Sequence, residues 1–172
     1  MEGIRIAILC NETPRCQLSA LGLDRSGGLE VVGSYRKLGG ALAAIQTRKP
    51  RVVIVHATRR GLDGPSCVAQ LKEKELGVRV IVVSGRVSER SLLEALSAGA
   101  DGYLVQPSSA AVVVKSAREA VSGRLAFCRE AKKVLARLWL RMAVVDESRD
   151  LLTVREREIL TLMTIEGVAP KD

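Results

Sequence analysis

The chain has 172 residues, 47% of them hydrophobic and 27% charged, with no low-complexity tract, enough for one well-packed domain and a smaller appendage. Aromatic residues make up only 2%, so the core is left to Val, Ile, Leu and Ala, as in α/β proteins whose buried parallel strands read as aliphatic runs. The net charge of +8, with a pI near 9.7, permits anionic partners without identifying one. Residues 1–123 carry a net +6 and residues 124–172 a net +2, so most of the positive charge lies outside the C-terminal stretch. No apolar run approaches the ~18 residues of a membrane span, and no signal peptide precedes the first aliphatic run, which points to a cytoplasmic protein with no membrane partner. Cys10, Cys16, Cys67 and Cys128 form no CxxC pair, and the lone histidine, His56, has no ligand partner nearby in sequence. Reduced thiols, no metal and no cofactor are expected.

Residues 4–9, 29–32, 52–55, 78–83 and 102–105 read as short strands. The stretches near 15–23, 38–48, 64–75, 89–98 and 109–122 carry apolar residues at helical spacing. Five repeats of strand and helix predict a five-stranded, doubly wound parallel sheet of flavodoxin-like type over residues 1–123, with helices on both faces. In such a sheet functional residues gather at the carboxyl ends of the strands, where strand order reverses. Those ends are Cys10-Asn11-Glu12, residues 56–60, residues 84–86 and Gln106-Pro107.

After Gly123 the pattern changes, and residues 124–150 read as a linker holding an amphipathic helix over 129–145. Ala131, Val134, Leu135, Leu138, Trp139 and Met142 share its apolar face. That face either packs on its neighbours or, with Trp139 as anchor, forms a dimer seam. Residues 146–150 are a polar break, and Thr153 with Glu156 then forms a capping box that opens a helix bearing Ile159, Leu160, Leu162 and Met163. One such helix does not fold alone, so 151–172 reads as the start of an incomplete second domain and completes an α-helical C-terminal extension.

Four stretches occur together in one order: Glu30-Val-Val-Gly33; Val52-Val-Ile-Val-His-Ala-Thr-Arg-Arg-Gly-Leu-Asp-Gly64; Ala98-Gly-Ala-Asp-Gly-Tyr-Leu104; and Leu152-Thr-Val-Arg-Glu-Arg-Glu-Ile-Leu160. In this the chain resembles the NarL/FixJ-type response regulators over nearly its whole length: a receiver domain, then the opening of a LuxR-type helix-turn-helix. The stretch 98–104 is the most specific of the four. The resemblance implies a site in which two or three carboxylates hold Mg²⁺ and one accepts a phosphoryl group. At the matching positions the acid pair falls on Cys10 and Asn11, or, with a one-residue slip at Pro14, on Asn11 and Glu12. Either register lacks at least one carboxylate. The phosphoacceptor position falls on His56, in a register set by Gly61 and Asp63-Gly64, and the phosphoryl-contacting lysine position falls on Gln106. Only the hydroxyl, Ser84, and the switch-type aromatic, Tyr103, are retained. The resemblance therefore implies a degenerate phosphorylation site with no catalytic residue, in a protein that is not an enzyme.

His56 reads as a hydrogen-bonded structural group before a phosphoryl acceptor, and Cys10 as a small buried hydrophobe before a redox sensor. Arg59, Arg60 and Arg86, joined by Arg15 and Arg90, would make the emptied acidic pocket electropositive and able to clamp a small anionic ligand. Solvated loop charges are the plainer account. The expected protein is an atypical response regulator and transcription regulator. Its receiver would work without aspartyl phosphorylation, by protein contacts or by homodimerisation through the receiver or the helix at 129–145. Promoter DNA is the expected partner of the full-length protein, with weak binding or none by this stretch, since the groove-reading second helix lies beyond it. The alternative is a ligand- or anion-sensing, or protein-interaction, module without DNA binding.

Overall fold

Residues 6–9, 52–55 and 80–83 are aliphatic without interruption and at most 1% exposed, the mark of strands covered by helices on both faces. The computed structural model describes residues 3–11, 28–58, 61–74 and 76–145. The helix expected near 15–23, the polar break at 146–150 and the incomplete second domain at 151–172 lie outside the described residues. The described elements are β1 (Ile4–Leu9), β2 (Leu29–Tyr35), α1 (Leu38–Arg48), β3 (Val52–Ala57), α2 (Gly64–Glu73), β4 (Arg79–Ser84), α3 (Glu89–Ser97), β5 (Gly102–Val105), α4 (Ala110–Val121), β6 (Ala126–Phe127) and α5 (Arg129–Val145). All strand pairs are parallel, in the order β2-β1-β3-β4-β5-β6.

The doubly wound parallel sheet is as expected, but it has six strands, not five. The sixth is only two residues long, too short to show any alternation. It is held by Ala126 N–H donating to the Asp101 carbonyl at 2.9 Å and Cys128 N–H donating to the Tyr103 carbonyl at 3.1 Å. Gly102 makes this pairing possible, because a Cβ there would sit 2.5 Å from the Ala126 carbonyl oxygen. Strand β2 runs three residues past the expected Val32, and its register with β1 shifts between Ile6 and Ala7. The bulge absorbs one residue, so Gly33 and Ser34 continue the ladder where composition suggests a turn.

Side-chain caps start three of the helices. Asp63 accepts the Ser66 N–H at 3.0 Å, with a proline in the first turn of α2, and Ser109 accepts the Val112 N–H at 3.4 Å at α4. At α3, Ser88 and Ser91 cap each other reciprocally. Helix α5 places Ala131, Val134 and Leu135 in the core and packs Leu138 and Trp139 against it, while Arg141 ion-pairs with Glu89 of α3. The apolar face of this helix is thus turned inward, against β5, β6 and α3, with Trp139 half-buried against the core.

The amino ends of β4 and β5 are locked by Asp101, which is 5% exposed. Its carboxylate accepts the Val80 N–H at 2.8 Å, Lys72 Nζ at 2.6 Å and Arg79 Nη1 at 3.0 Å. Just before it, Gly99 adopts φ +96° beneath the aliphatic part of Lys72, a conformation that favours glycine. Replacing Asp101 by Ala strips the acceptor from a buried N–H and from two cations. The expected loss is about 2–3 kcal/mol, read as a lower urea midpoint at unchanged slope. Lys72→Met, which removes one partly exposed cation, is expected to cost about 1 kcal/mol or less in the same measurement.

Candidate functional site

Strand order reverses between β1 and β3, and the residues that follow the carboxyl ends of β1, β3, β4 and β5 meet at one edge of the sheet. Parallel pairing of Leu9 with Val55, and of His56 with Val83, brings Cys10 beside His56 and His56 beside Ser84. The backbone of Gln106 reaches back to this edge, its N–H donating to the Ser84 carbonyl at 2.8 Å, and the Gln106–Pro107 peptide is cis.

His56 stands at the centre, 4% exposed. Its Nδ1 lies 3.3 Å from Cys10 Sγ and its Nε2 lies 3.1 Å from Gln106 Oε1. A carboxamide oxygen only accepts hydrogen bonds, so Nε2 is the ring nitrogen that donates to Gln106 and Nδ1 is the one that faces the thiol. The other end of the Gln106 carboxamide, Nε2, is buried without a hydrogen-bond partner. Asn11 accepts the Thr58 hydroxyl at 3.4 Å and fills the space over Gly61, where a Cβ would lie 1.7 Å from Asn11 Nδ2.

A hydroxyl chain runs alongside. Ser84 Oγ donates to the Arg86 carbonyl at 2.6 Å, and the buried Tyr103 hydroxyl bridges Ser84 Oγ at 2.9 Å and Ser91 Oγ at 3.2 Å. Since Ser91 belongs to the cap of α3, the chain links the pocket to the start of that helix. Beside it opens a cavity of about 580 Å³ lined by His56, Thr58, Ser84, Arg86, Ser88 and Gln106 among others, with no carboxylate among the described lining residues.

The sequence-derived site is therefore brought together at Cys10, Asn11, His56, Ser84, Tyr103, Gln106 and Arg86. Glu12, Arg15, Arg59 and Arg60 lie outside the described residues. Arg90 is not in the cavity wall: it is exposed on α3 and paired with Glu94 at 2.7 Å, one helical turn on. The hydroxyls of Thr58, Ser88 and Ser91 were not anticipated. The serine spacing at 88 and 91 is a capping-box signal that could have placed two of them.

The sequence profile of the response regulator receiver domain matches residues 11–118. The chain is 28% identical over 141 residues to the response regulator protein VraR of Staphylococcus aureus, a match covering 82% of this chain and 66% of that protein. Among solved structures, the signal receiver domain of the response regulator NarL from Mycobacterium tuberculosis is 27% identical with a TM-score of 0.65, covering 72% of this chain and all of that one. A two-component response regulator of the LuxR family from Aurantimonas shares the fold at 20% identity and a TM-score of 0.72, over 81% of this chain and 99% of that one. With the profile spanning more than half its length, the chain belongs to the response regulator receiver domain family, the receiving modules of two-component signalling.

Proposed function

We propose that this receiver regulates without aspartyl phosphorylation, as part of a cytoplasmic, non-enzymatic transcription regulator. One observation carries the reading: at the phosphoacceptor position stands His56, with one ring nitrogen facing Cys10 and the other facing Gln106. Mg²⁺ takes hard oxygen ligands, carboxylates above all. The described donors here are a thiol, an imidazole, carboxamides and hydroxyls, a set that does not fit the ion. The chain retains the hydroxyl chain from Ser84 through Tyr103 to Ser91, so packing at the pocket and the start of α3 stay coupled. Output then rests on surface contacts, for which exposed Leu93 on α3 and Leu140 on α5, two helices in mutual contact, supply apolar area for a homodimer. Promoter DNA is the partner of the LuxR-type domain that residues 151–172 resemble; the receiver at 1–123 and the segment 124–150 supply regulation and contacts.

A second reading is favoured by the cavity itself. Arg86 lines a space without described carboxylates, whose other polar walls are the hydroxyls of Thr58, Ser84 and Ser88 and the Gln106 carboxamide. That is the chemistry of a small oxyanion site, and such a ligand would replace phosphorylation as the bias on the receiver.

Incubation with acetyl phosphate and Mg²⁺, followed by intact-mass measurement, tests the first reading: no stable phosphoryl adduct is expected, and one would overturn it. For the second, phosphate or sulfate at 100 times its dissociation constant is expected to raise stability by about 2.7 kcal/mol, seen as a saturable rise in melting temperature. The rise should be lost in Arg86→Ala; a rise that does not saturate, or survives the substitution, rules the anion site out.

A further inference from the structure

We propose that Cys10 and His56 form an activated thiol pair, and that Cys10 is a modification site for small, uncharged hydroperoxides. The pair is built from adjacent strands: Cys10 follows β1, His56 is the penultimate residue of β3, and Leu9 pairs with Val55. Thiol and ring meet at 3.3 Å through Nδ1, and Gln106 Oε1, 3.1 Å from Nε2, holds the ring in that orientation. A nucleophile, a base and a third group that orients the base are the three parts of an activated nucleophile. The thiolate is the reactive form of cysteine, and here its proton acceptor is already in place.

The step balances as follows. His56 Nδ1 takes the thiol proton while Cys10 Sγ attacks the terminal oxygen of the hydroperoxide. The S–O bond forms as the O–O bond breaks, and the leaving alkoxide or hydroxide recovers a proton from the imidazolium. Sulfur is oxidised by two electrons to the sulfenic acid, and the hydroperoxide is reduced to an alcohol or water.

Burial sets the reagent class. Cys10 is 5% exposed and His56 4% exposed, so a water-sized neutral oxidant is admitted where bulky or charged thiol reagents are not. The same molecule holds two references. Cys67 and Cys128 are equally buried, yet His56 is the lone histidine, so neither has an imidazole base. Burial pushes the Cys67 thiol up, aided by the Asp63 carboxylate, and burial likewise pushes the Cys128 thiol up.

The test uses the whole chain carrying Cys16→Ser. It is treated with hydrogen peroxide for timed intervals, the excess peroxide is removed with catalase, and the chain is then unfolded in urea with dimedone, so that the sulfenic acids are trapped and located by peptide mass spectrometry. Cys10 is expected to be trapped at least about tenfold faster than Cys67 or Cys128, and His56→Asn to slow Cys10 by about 100-fold. Gln106→Leu, which removes the orienting acceptor from a half-buried loop position, is expected to slow it by about tenfold while circular dichroism stays unchanged. Trapping of all three cysteines at one rate overturns the proposal, as does an undiminished Cys10 rate in His56→Asn. Should His56→Asn fail to fold, the Gln106→Leu rate decides, and an unchanged rate there equally overturns it.

Discussion

Parallel pairing of β1, β3 and β4, all buried on both faces, is the constraint from which the site follows. Backbone hydrogen bonds set Leu9 against Val55 and His56 against Val83, so the residues at the strand ends arrive at the same edge with little freedom. A slip of one residue in any of these strands would exchange its two faces. Because both faces are aliphatic, burial alone does not forbid such a slip here. The register is held instead by what happens at the ends of the strands.

Those ends differ in kind. At the carboxyl edge stand a thiol, an imidazole and a carboxamide in mutual contact. Several carboxylates in one pocket repel, and each is stabilised only by a cation or by protonation. A thiol, an imidazole and a carboxamide in series need neither, because each donor meets an acceptor along the line Cys10–His56–Gln106. The substitutions are therefore coupled. With His56 in place, an ammonium group at position 106 could only donate towards a ring nitrogen, whereas Gln106 supplies an acceptor to Nε2. The cost of the arrangement sits in one atom, the buried Gln106 Nε2 that finds no partner.

Most of this was legible in the chain itself. Long aliphatic runs such as 52–55 and 80–83 announce buried parallel strands, and the alternation with helices sets the topology. The residues at the strand ends then follow from the fold. What could not be read is local and physical. Strand β6 owes its existence to a glycine, since Gly102, at the start of the neighbouring β5, leaves room for the Ala126 carbonyl. The length of β2 depends on a bulge that no spacing rule encodes. The inward turn of Leu138 and Trp139 depends on which neighbour covers them, and an amphipathic helix looks the same whether its partner is its own core or another chain. Ser88 and Ser91 carry a capping-box spacing and Thr58 lies in the strand end 56–60, but that their hydroxyls line one cavity emerges only when the strands bring them together.

The amino ends of β4 and β5 show how a structural charge supports a neutral site. Asp101 is the counterpart of the carboxyl edge: a buried carboxylate that keeps its charge company with Lys72 and Arg79 and also accepts the Val80 N–H, while its own N–H donates to the Val80 carbonyl at 2.7 Å. That exchange pins β4 to β5 at one end, and the Gln106 N–H to the Ser84 carbonyl pins them at the other. Ser84 and Gln106 lie at or just beyond the carboxyl ends of these two strands and Tyr103 lies within β5, so their mutual distances are inherited from both pins. The most specific stretch of the sequence, residues 98–104, is accordingly an assembly device. Gly99 makes the turn, Asp101 sets the register, Gly102 admits β6, and Tyr103 then carries the hydroxyl chain into the pocket. The stretch thus builds the edge on which the strand-end residues of the pocket stand.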